Sequence, residues 1–207
     1  MTSDPVDIRP SRPDDLDDVY RVCLLTADNG EDATSLFRDP RMPGHVWAGP
    51  YVTFERSLAF VAEDGAGIGG YILGALDSKA FERRLERDWW PPLRVAYPEP
   101  PPDQMEKLAQ IERYALLDMH RPFGAPDKVI SRFPSHMHID LLPRMQGRGV
   151  GRRLVSTLIS SLIDQDSPGL HLQVGFDNPR AVGFYRHIGF SEHPHSGHHI
   201  FTMNLAK

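Results

Sequence analysis

Residues 136–153 concentrate the residue types that acid–base chemistry and anion binding require. His138 and Asp140 stand two residues apart, so in an extended strand both point to the same side, where one can hand a proton to the other. Directly downstream, Gln146-Gly147-Arg148-Gly149-Val150-Gly151-Arg152 sets three glycines within five residues, among arginines. Glycine admits backbone conformations closed to other residues and lets main-chain amides approach a ligand. Where such a turn feeds a helix, the unbonded amides of the first helical turn and the macrodipole favour an anion. Arg148, Arg152 and Arg153 oppose that dipole unless negative charge is bound nearby, and a pyrophosphate would meet both conditions. A tight turn with its arginines on water is the alternative reading of the same residues.

The elements that must position these groups follow from periodicity. Met137, Ile139 and Leu141 alternate with His136, His138 and Asp140, as in a half-buried strand, and Pro143 ends it. Val150, Leu154, Val155, Leu158, Ile159, Leu162 and Ile163 then share one helix face, so a strand, a glycine turn and a helix over about 152–166 succeed one another. Two other phosphate-binding turns fit less well. No Gly-Lys-Ser/Thr ending is present for a P-loop, and Arg152 stands where a dinucleotide fingerprint needs its third glycine. Further on, residues 169–175 read as a strand. Asn178 caps a following helix with Pro179 at its first position, and Gly189 closes it.

Upstream, residues 6–9 predict a first strand. Ser11 as cap, with Asp14 and Asp15 in the first turn, predicts a helix to about Asp28 that Asn29-Gly30 stops. Residues 31–54 mix Pro40, Pro43, Gly44, Gly49 and Pro50 with Phe37, Trp47, Tyr51 and Phe54, which reads as a loop with aromatic anchors and a short helix near 34–37. The runs 57–63 and 68–76, separated by Asp64-Gly65-Ala66-Gly67, predict an antiparallel hairpin. An excursion over 77–134 follows. It holds a charged helix at 78–88, then Trp89-Trp90-Pro91-Pro92, of which at least one tryptophan is expected to pack as core. The prolines at 98–102 read as a rigid connector, with a polyproline recognition segment as the alternative. A second helix is expected with Asp103 as cap, Glu106 closing a capping box and Pro122 past its end. The last strand lies near 199–205.

The whole chain bounds what this machinery can be. Its 207 residues fit one domain spanning 1–207 with a substantial core. A formal charge of -5 leaves no electrostatic footprint for nucleic acid. No apolar run reaches a membrane span, and no cleavable leader is apparent, so a cytoplasmic protein is expected. The single cysteine, Cys23, excludes an internal disulfide. It shares helical spacing with Leu16, Val19, Tyr20, Leu24 and Ala27 and is expected in the core; as a catalytic thiol it would lack an activating neighbour. His193, His195, His198 and His199 cluster, but their spacing fits no standard zinc pattern, so no metal is expected and a polar hairpin near the acceptor cleft is the reading kept.

Gln146, Gly149 and Gly151 meet the pattern Gln/Arg-x-x-Gly-x-Gly/Ala and so resemble the coenzyme A loop of the GNAT N-acetyltransferases. Asn178, Ala181, Phe184, Tyr185, Gly189 and Phe190 resemble the second hallmark of that superfamily, in the expected order and separation. Residues 20–34, 45–51 and 70–77, with the Trp-Pro-Pro excursion, are similar to the acetyltransferase-like domain of animal O-GlcNAc hydrolases and its free-standing bacterial relatives. The resemblance implies an α/β (α+β) fold with a mixed, mainly antiparallel central sheet flanked by helices, and a helical insertion about 78–134. It implies a strand ending near Leu142 that splays from the next one, with the pantetheine arm of acetyl-CoA in the gap.

By motif position, Leu141 and Leu142 would meet the pantetheine. Gln146, Gly147, Arg148, Gly149, Val150, Gly151 and Arg152 would hold the pyrophosphate, and Asn178, Phe184 and Tyr185 would flank the thioester. Direct transfer to an amine is the implied reaction. An alkylamine with a pKa of about 10.4 is almost wholly protonated at neutral pH, so a base is needed. His138 and Asp140 are the candidates, with Glu63 and Asp77 in reserve, while Tyr185 would give the leaving thiolate its proton. The structural alternatives are a satisfied buried carboxylate, a hydrogen-bonded histidine and a core aromatic. The expected partners are acetyl-CoA and an amine acceptor, with a homodimer left open. A catalytically silent acyl-CoA-binding or interaction module, as among degenerate relatives, is the competing function.

Overall fold

The structure is a computed structural model that describes residues 4–193 and 198–206. A short first strand β1 (Asp7–Pro10) leads into helix α1 (Leu16–Leu24) and two brief helices, α2 (Met42–Trp47) and α3 (Gly49–Phe54). The hairpin β2 (Ala59–Asp64) and β3 (Gly67–Ala75) comes next. The excursion then contributes α4 (Ser78–Asp88), α5 (Trp90–Ala96), α6 (Pro102–Met105), α7 (Gln110–His120) and α8 (Asp127–Ile130). The chain returns as β4 (Ser135–Leu141), helix α9 (Val150–Asp164), β5 (Gly169–Val174), α10 (Pro179–His187), β6 (Ser191–His193) and β7 (His199–Asn204).

Seven strands form one sheet in the order β1-β2-β3-β4-β5-β7-β6, antiparallel everywhere except between β4 and β5. This is the mixed, mainly antiparallel α/β domain that the motifs imply. Both faces are covered, which explains why β2 and β3 read as nearly continuous apolar runs. Phe60, Ala62 and Ile72 face α9 and α10 with Leu154, Leu158, Leu162 and Tyr185. Their neighbours Ala59, Val61, Tyr71 and Leu73 face α1 with Val19, Val22 and Cys23. A third cluster, centred on Phe37, Phe81, Trp90, Leu116 and Met119, packs the excursion. No helix among the described residues is long and apolar enough to cross a membrane.

Several local expectations differ from what forms. The helix expected from Ser11 to about Asp28 is a single 3-10 turn at Pro13–Asp15 followed by α1, which stops at Leu24. Asp15, not Ser11, provides the side-chain oxygen, accepting from the Arg12 amide at 2.7 Å, because Arg9 pins its carboxylate there. The aromatic loop over 31–54 contains α2 and α3, each with a proline in its first turn, where a missing N–H costs nothing. The helix expected behind Asp103 breaks at Ala109, whose backbone is extended, and Asp103 lies inside α6 behind Pro102. Trp90-Pro91-Pro92 opens α5 with Trp89 as its N-cap residue, and Trp90 is buried, as expected of one of the two tryptophans. In these places tertiary packing overrides weak local preference.

Candidate functional site

The parallel pairing of β4 with β5 is confined to Ser135 with Leu170 and His136 with His171. Beyond His136 the two strands part, and β4 runs on beside β3 alone. Alternate strand residues address alternate neighbours. The Leu142 amide donates to Gly69 on the β3 side at 2.8 Å, so Ile139 and Leu141 turn their polar groups toward the gap. The Leu141 carbonyl accepts from Gln146 Nε2 at 2.8 Å, while the Leu142 carbonyl accepts from Met145 at 2.9 Å. Leu142 is therefore engaged on both sides, and Leu141 is the residue with an amide left at the gap.

At the end of that gap sits the glycine loop. Gly147 and Gly149 have φ of +69° and +72°, conformations that L side chains rarely adopt. Gly149 is the N-cap residue of α9 and offers no side-chain oxygen to the helix. As a result, the six amides from Gly147 to Arg152 have no acceptor among the described residues. A row of unpaired donors at the head of a long helix is suited to receive an anion. Gly151 serves close approach: a Cβ there would lie 3.2 Å from Phe184 and 3.3 Å from Leu141. Asn178 caps α10 by accepting from Ala181 at 3.0 Å, and this fixes where Phe184 meets α9.

The loop arginines diverge. Arg148 donates to the carbonyls of Arg144 and Asp4 and lies 3.8 Å from Asp64, which also holds Arg144 at 3.4 Å. Arg153 donates to the Val6 carbonyl. The electrostatic conflict that pointed to an anion is thus partly relieved within the protein. Arg152 reaches His187 on α10 at 2.9 Å. Arg180, which sequence reasoning missed although it adjoins the cap motif, donates to Gln146 Oε1 at 2.9 Å and closes the outer side of the loop.

On the floor of the gap, His138 Nε2 lies 3.0 Å from Asp140 Oδ2, and the same oxygen accepts a short hydrogen bond from the Tyr71 hydroxyl. Tyr71 is opposite Asp140 in the β3–β4 register and stacks on the His138 ring with centroids 6.0 Å apart. Burial opposes charging of His138, but the field of Asp140 and their hydrogen bond outweigh it, so its pKa rises above the usual 6.5. Its side chain remains 38% exposed, open to a substrate.

Tyr185 lies among Phe184, Phe190 and Phe201, and its hydroxyl has no hydrogen-bond partner among the described residues. Burial, then the Asp140 charge, push its pKa well up, so at neutral pH it holds its proton and can donate it. Cys23 is buried in the α1 cluster beside Tyr71, with a raised thiol pKa caused first by burial, which fits a core residue and not a nucleophile.

The floor continues to His136, whose Nε2 meets the Tyr51 hydroxyl at 2.8 Å and whose Nδ1 meets Ser78 Oγ at 2.7 Å. Ser78 gives its own proton to the Pro134 carbonyl. Nδ1 must therefore donate to Ser78 and Nε2 accept from Tyr51, which is the neutral imidazole. Burial lowers its pKa to about 3. Above it, Trp47 Nε1 donates to Asp118 Oδ2 at 2.9 Å. Trp47 and Tyr51 were legible only as aromatic anchors, and Tyr71 and Asp118 were not singled out, since nothing in local spacing ties the four to this face of β4.

The reserve carboxylates have structural duties: Glu63 binds Arg9 at 2.8 Å, and Asp77 caps α4 through Ala80. His193 pairs with Thr202 and His199 with Glu192, while His195 lies outside the described residues. Among the described residues no three His, Cys, Asp or Glu side chains converge on a metal position.

Residues 31–190 match the model of the acetyltransferase (GNAT) family. The chain is 34% identical to SsHAT, whose crystal structure it matches with a TM-score of 0.85 over 98% of this chain and 99% of that one. It is 28% identical over 191 residues to protein O-GlcNAcase of Rattus norvegicus. That alignment spans 92% of this chain but a fifth (20%) of the longer protein. A phosphinothricin acetyltransferase from Sinorhizobium meliloti, solved with AcCoA, shares the fold at a TM-score of 0.59 and 14% identity, over 97% of this chain and 89% of that one.

Proposed function

The chain belongs to the acetyltransferase (GNAT) family, and from that membership we propose that it transfers the acetyl group of acetyl-CoA directly to an amine. One observation carries the reading: six unpaired amides on a positive-φ glycine loop open onto the same strand gap whose floor holds the His138–Asp140 pair. The amides from Gly147 to Arg152 take the pyrophosphate, with Gln146, Arg152 and Arg180 at its margin. The free Leu141 edge of β4 takes the pantetheine amides, and Phe184 flanks the arm. The phosphinothricin acetyltransferase solved with AcCoA gives a precedent for the coenzyme on this fold.

Within that arrangement His138 is the general base, oriented and made more basic by Asp140, which Tyr71 in turn holds. The acceptor reaches the site as an ammonium ion and gives one proton to His138, which passes it to solvent, so that the free amine forms. That nitrogen attacks the thioester carbonyl carbon, and its second proton passes to His138. As the C–S bond breaks, the Tyr185 hydroxyl protonates the departing thiolate. The His138 imidazolium returns its proton to the Tyr185 phenolate, so that an amide, free coenzyme A and one proton released to solvent result, with no covalent enzyme intermediate. The test is thiol release from acetyl-CoA in the presence and absence of primary amines. Amine-dependent release supports the transferase; coenzyme binding with no release from any amine supports a silent binding module instead.

A further inference from the structure

Several of the buried and half-buried carboxylates in this protein face a permanent cation. Asp15 binds Arg9 at 2.6 Å, Asp64 holds Arg144 and Arg148, and Glu112 on α7 accepts from Arg38 at 2.8 Å. A buried carboxylate without such a partner is costly, which is why they are rare. Others have no such ion pair: Glu55 is bound by the Leu76 amide and Asp39 by the Tyr97 hydroxyl, and two more lie near β4. Asp140 faces only His138 and Tyr71. Asp118, six residues beyond Glu112 on the same helix, has only the Trp47 indole on one oxygen; no Lys, Arg or His nitrogen pairs with it among the described residues. Burial pushes its pKa up to about 6, against the lowering effect of the Trp47 bond.

Asp140 and Asp118 address the same side of β4. Trp47 and Tyr51 pack at once against the excursion core and against the α1 cluster that contains Tyr71. Burial first, and the Asp118 charge second, push up the pKa of the Tyr51 hydroxyl, which binds His136. His136, His138 and Asp140 follow at every second residue of one strand face. The four-residue step from His136 to Asp140 is about 13 Å along a strand. This face of β4, with Trp47 and Tyr51 beside it, is where an acceptor cleft would lie, with the proton-accepting pair at one end and a carboxylate awaiting a cation at the other.

We infer that Asp118, held by Trp47, anchors a second, non-reacting cationic group of the acceptor, so that the acceptor is an amine carrying a further ammonium or guanidinium on the order of 10 Å away. The inference rests on the transferase reading for the role of the cleft, not for the binding of the cation. It deepens that reading by naming the class of acceptor.

The experiment compares linear α,ω-diamines of four to ten carbons with amino alcohols of the same length, on wild type and Asp118→Asn. The asparagine keeps an oxygen for Trp47 and removes only the charge. Wild type should favour the diamine in kcat/KM by about tenfold to hundredfold, the usual worth of a charge-assisted bond, with the difference in KM and an optimum chain length. In Asp118→Asn the ratio should fall to about one, and Trp47→Phe should lower it partway. The acetyl-CoA affinity of each variant reports its folding. Equal treatment of diamine and amino alcohol by wild type, or a preference that survives Asp118→Asn, overturns the inference. If no amine is acetylated, calorimetric titration with the diamines still decides it: tenfold tighter diamine binding to wild type than to Asp118→Asn sustains the anchor while the transferase reading falls, and equal binding sinks the anchor.

Discussion

His136 makes the structure's electrostatics measurable. Its ring is enclosed, both nitrogens are committed in the neutral tautomer, and its pKa in the fold is about 3. The unfolded chain restores the ordinary value near 6.5. Between those values the unfolded state binds a proton that the native state refuses, so stability falls as pH drops below about 6.5. Going from pH 7.5 to pH 5 should cost about 2 kcal/mol from this residue alone, the free energy of protonating only the unfolded state over that interval. The figure is insensitive to the folded pKa, because a value near 4 would still leave the ring almost wholly neutral at pH 5.

The perturbation is His136→Asn, whose amide can still donate to Ser78 but does not titrate. It loses the Tyr51 bond and should be less stable at every pH by about 1–2 kcal/mol. What matters is the difference of differences in urea unfolding free energies at the two pH values, in which His171, Asp118 and His138 cancel. Wild type should lose about 2 kcal/mol more than the variant. If both lose the same amount, His136 is not held neutral in the fold, and the hydrogen-bond assignment through Ser78 and Tyr51 is wrong.

Gly149→Asp should separate folding from binding. The left-handed φ of +72° tolerates aspartate better than most residues, nothing lies within 4 Å of its Cβ, and a carboxylate at the head of α9 favours the helix. Thermal stability should hold while acetyl-CoA affinity falls by roughly hundredfold, since like charges would meet; unchanged affinity by calorimetry would move the pyrophosphate elsewhere. Tyr185→Phe should lower kcat by about a hundredfold at similar coenzyme affinity, as loss of a general acid does, and a full rate would remove the residue from the chemistry. In Asp140→Asn the burial that opposes charging of His138 is left unopposed, so the acidic limb of the kcat/KM profile should move from above pH 6.5 to below it while the plateau drops. A limb that stays in place would take the base role away from His138.

The glycine loop, the helix it feeds and the cap at Asn178 were legible in the amino-acid sequence because they are local. Positive φ at Gly147 and Gly149, an amide row at a helix head and a side-chain cap three residues from its donor all arise within a few residues of chain. The same locality put His138 and Asp140 on one strand face, and the hairpin and charged helix formed where patterning placed them. What tertiary structure decided was which charges meet. Arg148 turns from the loop toward Asp64, Tyr71 binds Asp140 across 69 residues, and Trp47 binds Asp118 across 71. No spacing rule reaches that far, because such pairs depend on how the sheet and the excursion pack and not on the conformation of either segment. The parting of the strands is of the same kind: β4 and β5 each read as ordinary strands, and only their placement in the sheet confines the pairing to Ser135 with Leu170 and His136 with His171.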